Sequence, residues 1–130
     1  MAIALPIATT VIGLFAVVQV PMTVMVGLKR VQTGIQFMDG GDTSLLRRMR
    51  AHANYTETVP IVLLAMAASE LSGLMPALLW AGGASLLLGR LLHAQTLVTK
   101  GWGNGRAAGM ILTFLPMLGF GAWDIAIVFR

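Results

Sequence analysis

Arg50, Asn54 and Glu57 stand at i, i+4 and i+7 within the stretch Arg47-Arg48-Met49-Arg50-Ala51-His52-Ala53-Asn54-Tyr55-Thr56-Glu57-Thr58-Val59-Pro60. On an α-helix that spacing stacks a cation, an amide and a carboxylate on one face. The three span about 10 Å at a rise of about 1.5 Å per residue. Polar groups crowd the first half of this stretch, and Ile61 to Ala68 is then almost wholly apolar. If such a helix enters a membrane, its charges are costly there. They then face a protein interior or a water-filled cavity, and they mark a function. What the chain lacks narrows the chemistry further. It has no cysteine, so a protein thiolate nucleophile, a disulfide and a Cys-ligated metal are excluded. Its two histidines, His52 and His93, have no acidic or histidine neighbour at metal-ligand spacing, and no metal site is expected.

The elements that position these groups follow from composition. The chain has 130 residues, enough for one domain over residues 1–130. Only 11% of them are charged, less than half the share of about a quarter usual in soluble domains. With a mean hydropathy of +0.83 this predicts an integral membrane protein. The formal charge of +4 comes mostly from clusters beside apolar spans, which reads as topology and lipid headgroup contact. No basic patch interleaved with aromatics supports nucleic-acid binding.

Four helices are expected, at about residues 4–28, 45–69, 77–98 and 106–129, giving an all-α membrane four-helix bundle. The first contains no charge up to Lys29-Arg30, which should end it, and no positive n-region precedes it, so it reads as a retained span. Asp39-Gly40-Gly41-Asp42 breaks the chain, and Thr43 or Ser44 can cap the second helix. Gly73 and Pro76 mark a turn so short that helices two and three must be antiparallel neighbours. Gly82, Gly83, Ala84, Ser85 and Gly89 give the third helix a small-residue face for close packing. Trp102 and Trp123 fit interfacial anchors. Lys29, Arg30, Arg47, Arg48, Arg50, Lys100 and Arg106 all fall on one side of the bundle. The positive-inside rule places that side in the cytoplasm and both termini on the periplasmic face of an inner membrane. Arg47, Arg48 and Lys100 are read as solvated or headgroup-facing.

Depth adds a pairing. Glu57 lies about 15 Å past Arg47 along helix two, and Arg90 about 15 Å before Lys100 along helix three. The antiparallel pair brings them to one level, so a buried ion pair is expected, within one chain or across a subunit boundary. His93 lies one turn nearer the cytoplasm. Taken singly, a Glu–Arg pair can serve packing alone and His93 can be a satisfied core histidine. Arg50, Asn54, Glu57, Arg90 and His93 together at one end exceed what packing requires.

The stretch Arg50-Ala-His-Ala-Asn54-Tyr-Thr-Glu57-Thr-Val-Pro60 resembles the signature of the MAPEG family, the membrane-associated proteins of eicosanoid and glutathione metabolism. That pattern runs Arg, Asn four residues on, Glu three further, Pro three further. Gly89-Arg90-Leu-Leu-His93 resembles the third-helix motif of bacterial members. The resemblance implies a left-handed four-helix bundle assembled as a homotrimer, with glutathione as co-substrate between adjacent subunits near the cytoplasmic face. It implies that Arg50, Asn54 and Glu57 bind glutathione, with Arg30 from the cationic pair ending the first helix, and that Arg90 and His93 join them. As in microsomal glutathione transferase and leukotriene C4 synthase, an arginine opening the fourth helix, here Arg106, would stabilise the thiolate. A guanidinium beside a thiol favours its charged form. The expected activity is transfer of glutathione to, or peroxidase reduction of, a hydrophobic electrophile arriving through the bilayer. Membrane lipids are expected partners, nucleic acid is not. The sequence departs from the eukaryotic pattern in tyrosines: Thr58 follows the motif Glu, and His93 and Leu97 occupy third-helix positions that carry tyrosine there. A non-catalytic lipid-binding or scaffold protein is therefore the alternative. A small transporter or channel is disfavoured, since no inverted repeat of broken helices appears.

Overall fold

The computed structural model describes residues 4–130, which form four α-helices and, among the described residues, no strand. They are α1 (Pro6–Thr33), α2 (Thr43–Leu71), α3 (Pro76–Thr99) and α4 (Asn104–Val128). The expected order and number hold, and every helix is longer at one or both ends than the sequence suggested. Three of them, α1, α3 and α4, are long and apolar enough to cross a membrane. α2 is as long, at 29 residues, but the charges of its first half keep it out of that class. The expected four-helix bundle is therefore made of three strongly apolar helices and a more polar fourth, α2.

The helix ends have identifiable causes. Lys29-Arg30 does not stop α1, which continues to Thr33 and ends where Gly34 adopts a left-handed φ of 70°. Glycine takes that conformation without the Cβ penalty other residues meet. Arg30 then folds over the end, its Nη1 donating to the carbonyls of Ile35, Gln36 and Met38 at 3.0–3.2 Å. α2 is capped by Asp42 rather than by Thr43 or Ser44, because its Oδ1 accepts the Leu45 N–H at 2.7 Å. That hydrogen bond lowers the Asp42 pKa below 3.8, assisted by Lys29, whose Nζ lies 3.4 Å from Oδ2. At the far end of the bundle α1 has Pro6 at its first position and no local side-chain cap. Its N–H groups at Ile7 and Ala8 donate instead to Glu70, at 2.9 and 2.6 Å. A carboxylate there also opposes the positive end of the helix dipole. Glu70, one residue past the expected end of the second helix, thus lies in the last turn of α2 and anchors α1.

Packing centres on α2 and α3. α2 touches α1, α3 and α4, α3 pairs most extensively with α4, and α1 and α4 lie diagonally apart. The buried stripe of α2 is Ala51, Tyr55, Val59, Val62, Met66 and Ser69, at the three- and four-residue spacing of one helix face. Phe15, Leu79, Leu86 and Phe120 close the core around it. The Tyr55 hydroxyl is satisfied inside this core by the Phe15 carbonyl at 2.5 Å. α3 and α4 approach so closely that a Cβ at Gly89 would stand 2.8 Å from the Gly109 oxygen, and a Cβ at Gly109 2.6 Å from the Gly89 oxygen. The small-residue face of α3 serves this contact, with Ser85 Oγ donating across it to the Leu112 carbonyl at 2.7 Å. Outside the core, large apolar side chains such as Val17, Leu64 and Leu118 stay about 70% exposed. Surface of that kind needs lipid or another subunit against it.

Candidate functional site

Eight of the nine cations sit in the half of the bundle that holds the α1–α2 and α3–α4 loops, and Arg130 alone lies at the other end. α2 presents two different faces to that half. Its buried stripe runs through Tyr55 and Val59. Arg50 and Glu57 fall on the opposite side and are exposed in the single protomer, and Asn54 lies half-buried at the edge between. The face read from the spacing therefore exists, and it points out of the protomer. Asn54 is held along it by its Nδ2 donating to the Arg50 carbonyl at 3.3 Å.

Arg90 lies behind that edge. It comes from α3, is only 4% exposed, and reaches between α2 and α4. Its Nη1 donates to the Asn54 carbonyl at 3.4 Å and to Thr58 Oγ1 at 3.2 Å. Its Nη2 donates to the Gly109 carbonyl at 3.3 Å and contacts Met110 Sδ at 3.2 Å. Its Nε is buried without a partner. The expected Arg90–Glu57 ion pair is absent within the protomer; the one ion pair among the described residues joins Lys29 and Asp42. The two residues do share a depth, but Glu57 faces away around the helix from the side of α2 that α3 covers. A buried guanidinium held only by neutral acceptors keeps an uncompensated positive charge at the root of Asn54 and Thr58.

His93, one turn along α3, is buried against α4, where the Gly109 backbone comes so close that a Cβ there would lie 2.8 Å from His93 Cβ. Arg106 is the third residue of α4 rather than its opening, because the helix starts at Asn104. Its guanidinium stacks 5.1 Å from the Trp102 ring centroid and lines a pocket of 210 Å³ with Trp102, Asn104 and Met110. Met110 also touches Arg90, so Arg106, Met110, Arg90 and Asn54 form one continuous line from the α4 start to the α2 edge. Arg30 stands apart from this line: its Nη1 serves the loop carbonyls, and its Nη2 contacts Met49 Sδ at 3.4 Å.

Several polar groups escaped the sequence reading. Arg47, read as solvated, donates from Nη1 to the Thr99 carbonyl at 3.2 Å and packs on Gly101, tying the start of α2 to the end of α3. Arg48, read the same way, is half-buried with its Nε enclosed and unpartnered. It falls on the Tyr55 side of the helix, which a count of turns from Tyr55 would have revealed. His52 Nε2 meets Gln19 Nε2 at 2.9 Å and Thr23 Oγ1 at 3.1 Å, a polar bridge from α2 to the middle of α1. The pairing of Gln19 with His52 was not legible in the sequence, since 33 residues separate them.

The arrangement is an outward-facing surface of Arg50, Asn54 and Glu57 with the buried cation Arg90 behind Asn54. The family model described as the MAPEG family matches residues 8–125, a span that contains every residue of this site. Among curated proteins, none matches the chain.

Proposed function

The chain belongs to the MAPEG family, and from that premise we propose that it is a membrane-bound glutathione transferase or peroxidase of the microsomal type. It is a left-handed four-helix bundle that assembles as a homotrimer in a bacterial inner membrane, basic loops to the cytoplasm and both termini to the periplasm. Glutathione lies between adjacent subunits at the basic end. Arg50, Asn54 and Glu57 line that cleft from one protomer, Arg90 and His93 support it from behind, and Arg106 holds the sulfur as thiolate. The nucleophile is the substrate's own sulfur, so the protein needs no cysteine. The electrophile is a hydrophobic molecule entering from the bilayer.

One observation carries this reading. An arginine only 4% exposed, with no carboxylate partner among the described residues, stands directly behind Asn54, while the polar face of α2 turns outward. Charged groups facing out at membrane depth require a neighbouring subunit or an enclosed ligand to cover them. A second subunit against this face supplies the enclosure, and glutathione's two carboxylates supply the missing negative charge.

A second reading has its own support. Arg30 is committed to loop carbonyls and Arg106 to the face of Trp102. With Thr58 and Leu97 in place of tyrosines, the same cleft can serve a lipid-binding or scaffold protein that activates no thiol. Calorimetric titration of the detergent-solubilised trimer with glutathione separates the two. Saturable binding lost in Arg50→Ala supports the transferase site. Binding that Arg50→Ala leaves unchanged removes the assignment of that face, and no binding at all favours the lipid-binding protein.

A further inference from the structure

At the end of the bundle opposite the basic loops, α3 and α4 part to leave a groove of about 580 Å³ with an almost wholly apolar lining. The volume falls within the range of about 300–1,000 Å³ typical of small-ligand sites. Its origin is the small residues on its two walls, Ala81 and Gly82 on α3, Gly119 and Ala122 on α4. The Phe120 ring occupies the space a Cβ at Gly82 would need and forms the floor. A Cβ at Gly119 would meet nothing within 4 Å, so that position opens directly into free space.

The mouth of the groove carries charge. Trp123 lines the groove, is fixed by its Nε1 donating to Ser72 Oγ at 2.8 Å, and has the Arg130 guanidinium over its ring at 5.5 Å. Each acid at this end is already engaged: Glu70 caps α1, and Asp124 accepts from Ser69 Oγ at 2.7 Å. Arg130 forms no ion pair with any side-chain carboxylate among the described residues. The apolar slot thus ends at a tryptophan bearing a guanidinium that forms no ion pair among the described residues. A guanidinium suits bidentate recognition of a phosphate, and basic groups beside spanning helices bind lipid headgroups.

We propose that the α3–α4 groove is a binding site for an anionic phospholipid, one acyl chain seated over Gly119 and Phe120 and the phosphate held by Arg130. The site is independent of the glutathione cleft, which lies at the other end of the molecule.

Trp123 is the natural reporter. With Trp80→Phe and Trp102→Phe it becomes the sole tryptophan, and its fluorescence is read in phosphatidylcholine vesicles. These contain either phosphatidylglycerol or phosphatidylcholine with brominated chains, over the same range of mole fractions. The anionic brominated lipid should quench at lower mole fraction, by about fivefold, the scale of one basic side chain at an anionic lipid surface. Gly119→Leu, whose Cβ meets nothing within 4 Å, puts a branched side chain into the groove and should reduce quenching by both lipids. Arg130→Gln should erase the headgroup preference and leave the residual quenching. Unfolding temperatures matching the parent's confirm that both variants are folded. Equal quenching by the two lipids in the parent, or indifference to Gly119→Leu, overturns the site. Absence of quenching altogether also overturns it, since a second copy of the chain would then cover Trp123. None of these outcomes bears on glutathione binding, which is titrated separately.

Discussion

Replacing Arg90 by methionine separates a functional cation from a structural one. Arg90 makes four contacts, at 3.2–3.4 Å, all to neutral acceptors. Those distances lie at or beyond the long edge of good N–H···O bonds, so about 1 kcal/mol each is a fair scale, or ~4 kcal/mol in all. Against this stands the desolvation of a guanidinium that is 4% exposed and has an unpartnered Nε, itself several kcal/mol. The two nearly cancel. The carbonyls released by the substitution belong to helix residues, so no acceptor is stranded without an intrahelical partner. Arg90→Met should therefore leave the thermal unfolding midpoint in detergent unchanged or raised. Glutathione affinity should behave differently. A charge-assisted contribution of about 1.5–3 kcal/mol corresponds to a loss of roughly ten- to a hundredfold in Kd. Differential scanning fluorimetry and calorimetric titration on one preparation read both quantities. A variant destabilised by the ~3–5 kcal/mol of a broken buried pair, with glutathione affinity intact, would refute the reasoning and make Arg90 a packing device.

Three other outcomes follow from the geometry. Gly109→Ala puts a methyl 2.6 Å from the Gly89 carbonyl oxygen and should cost about 1–3 kcal/mol of stability as α3 and α4 separate, while Gly13→Ala, with nothing within 4 Å of its Cβ, should be neutral or stabilising by up to about 1 kcal/mol. Glu70→Ala removes the acceptors of the Ile7 and Ala8 N–H groups, so amide exchange in the first turn of α1 should accelerate and stability fall by about 1 kcal/mol, the scale of a helix cap. Asp42 has a folded pKa below its usual 3.8, chiefly because it accepts the Leu45 N–H. Its contribution is therefore complete above that value and is lost as pH falls through the lowered one. The unfolding midpoints of the parent and Asp42→Ala should differ near neutral pH and converge in acid, and a gap that persists at low pH would contradict the capping role.

What the sequence could and could not convey divides along a physical line. Local signals were legible: the number and order of helices, the Gly73 turn, the small-residue face of α3, and the Arg50–Asn54–Glu57 face. Each rests on spacing within a few residues. Depth was legible too, because rise per residue is nearly constant, and Glu57 and Arg90 were placed at one level by it. Rotation was not carried through. The stripe of Tyr55, Val59, Val62 and Met66 sets which side of α2 faces inward, and it turns Glu57 away from Arg90 while turning Arg48 in. Long-range capping was beyond reach: nothing near Pro6 announces that Glu70 finishes its helix. The end of α1 was misjudged because charged residues do not stop a helix. A left-handed glycine does, and Gly34 is that residue.

An ultraviolet difference spectrum shows whether the basic end of this bundle binds glutathione and activates it through Arg106. The purified protein is mixed with glutathione and compared with Arg106→Ala. A thiolate band should appear in the parent and be lost in the variant while glutathione still binds. Glutathione bound by the parent without a thiolate band, or a band that survives Arg106→Ala, would contradict activation through Arg106.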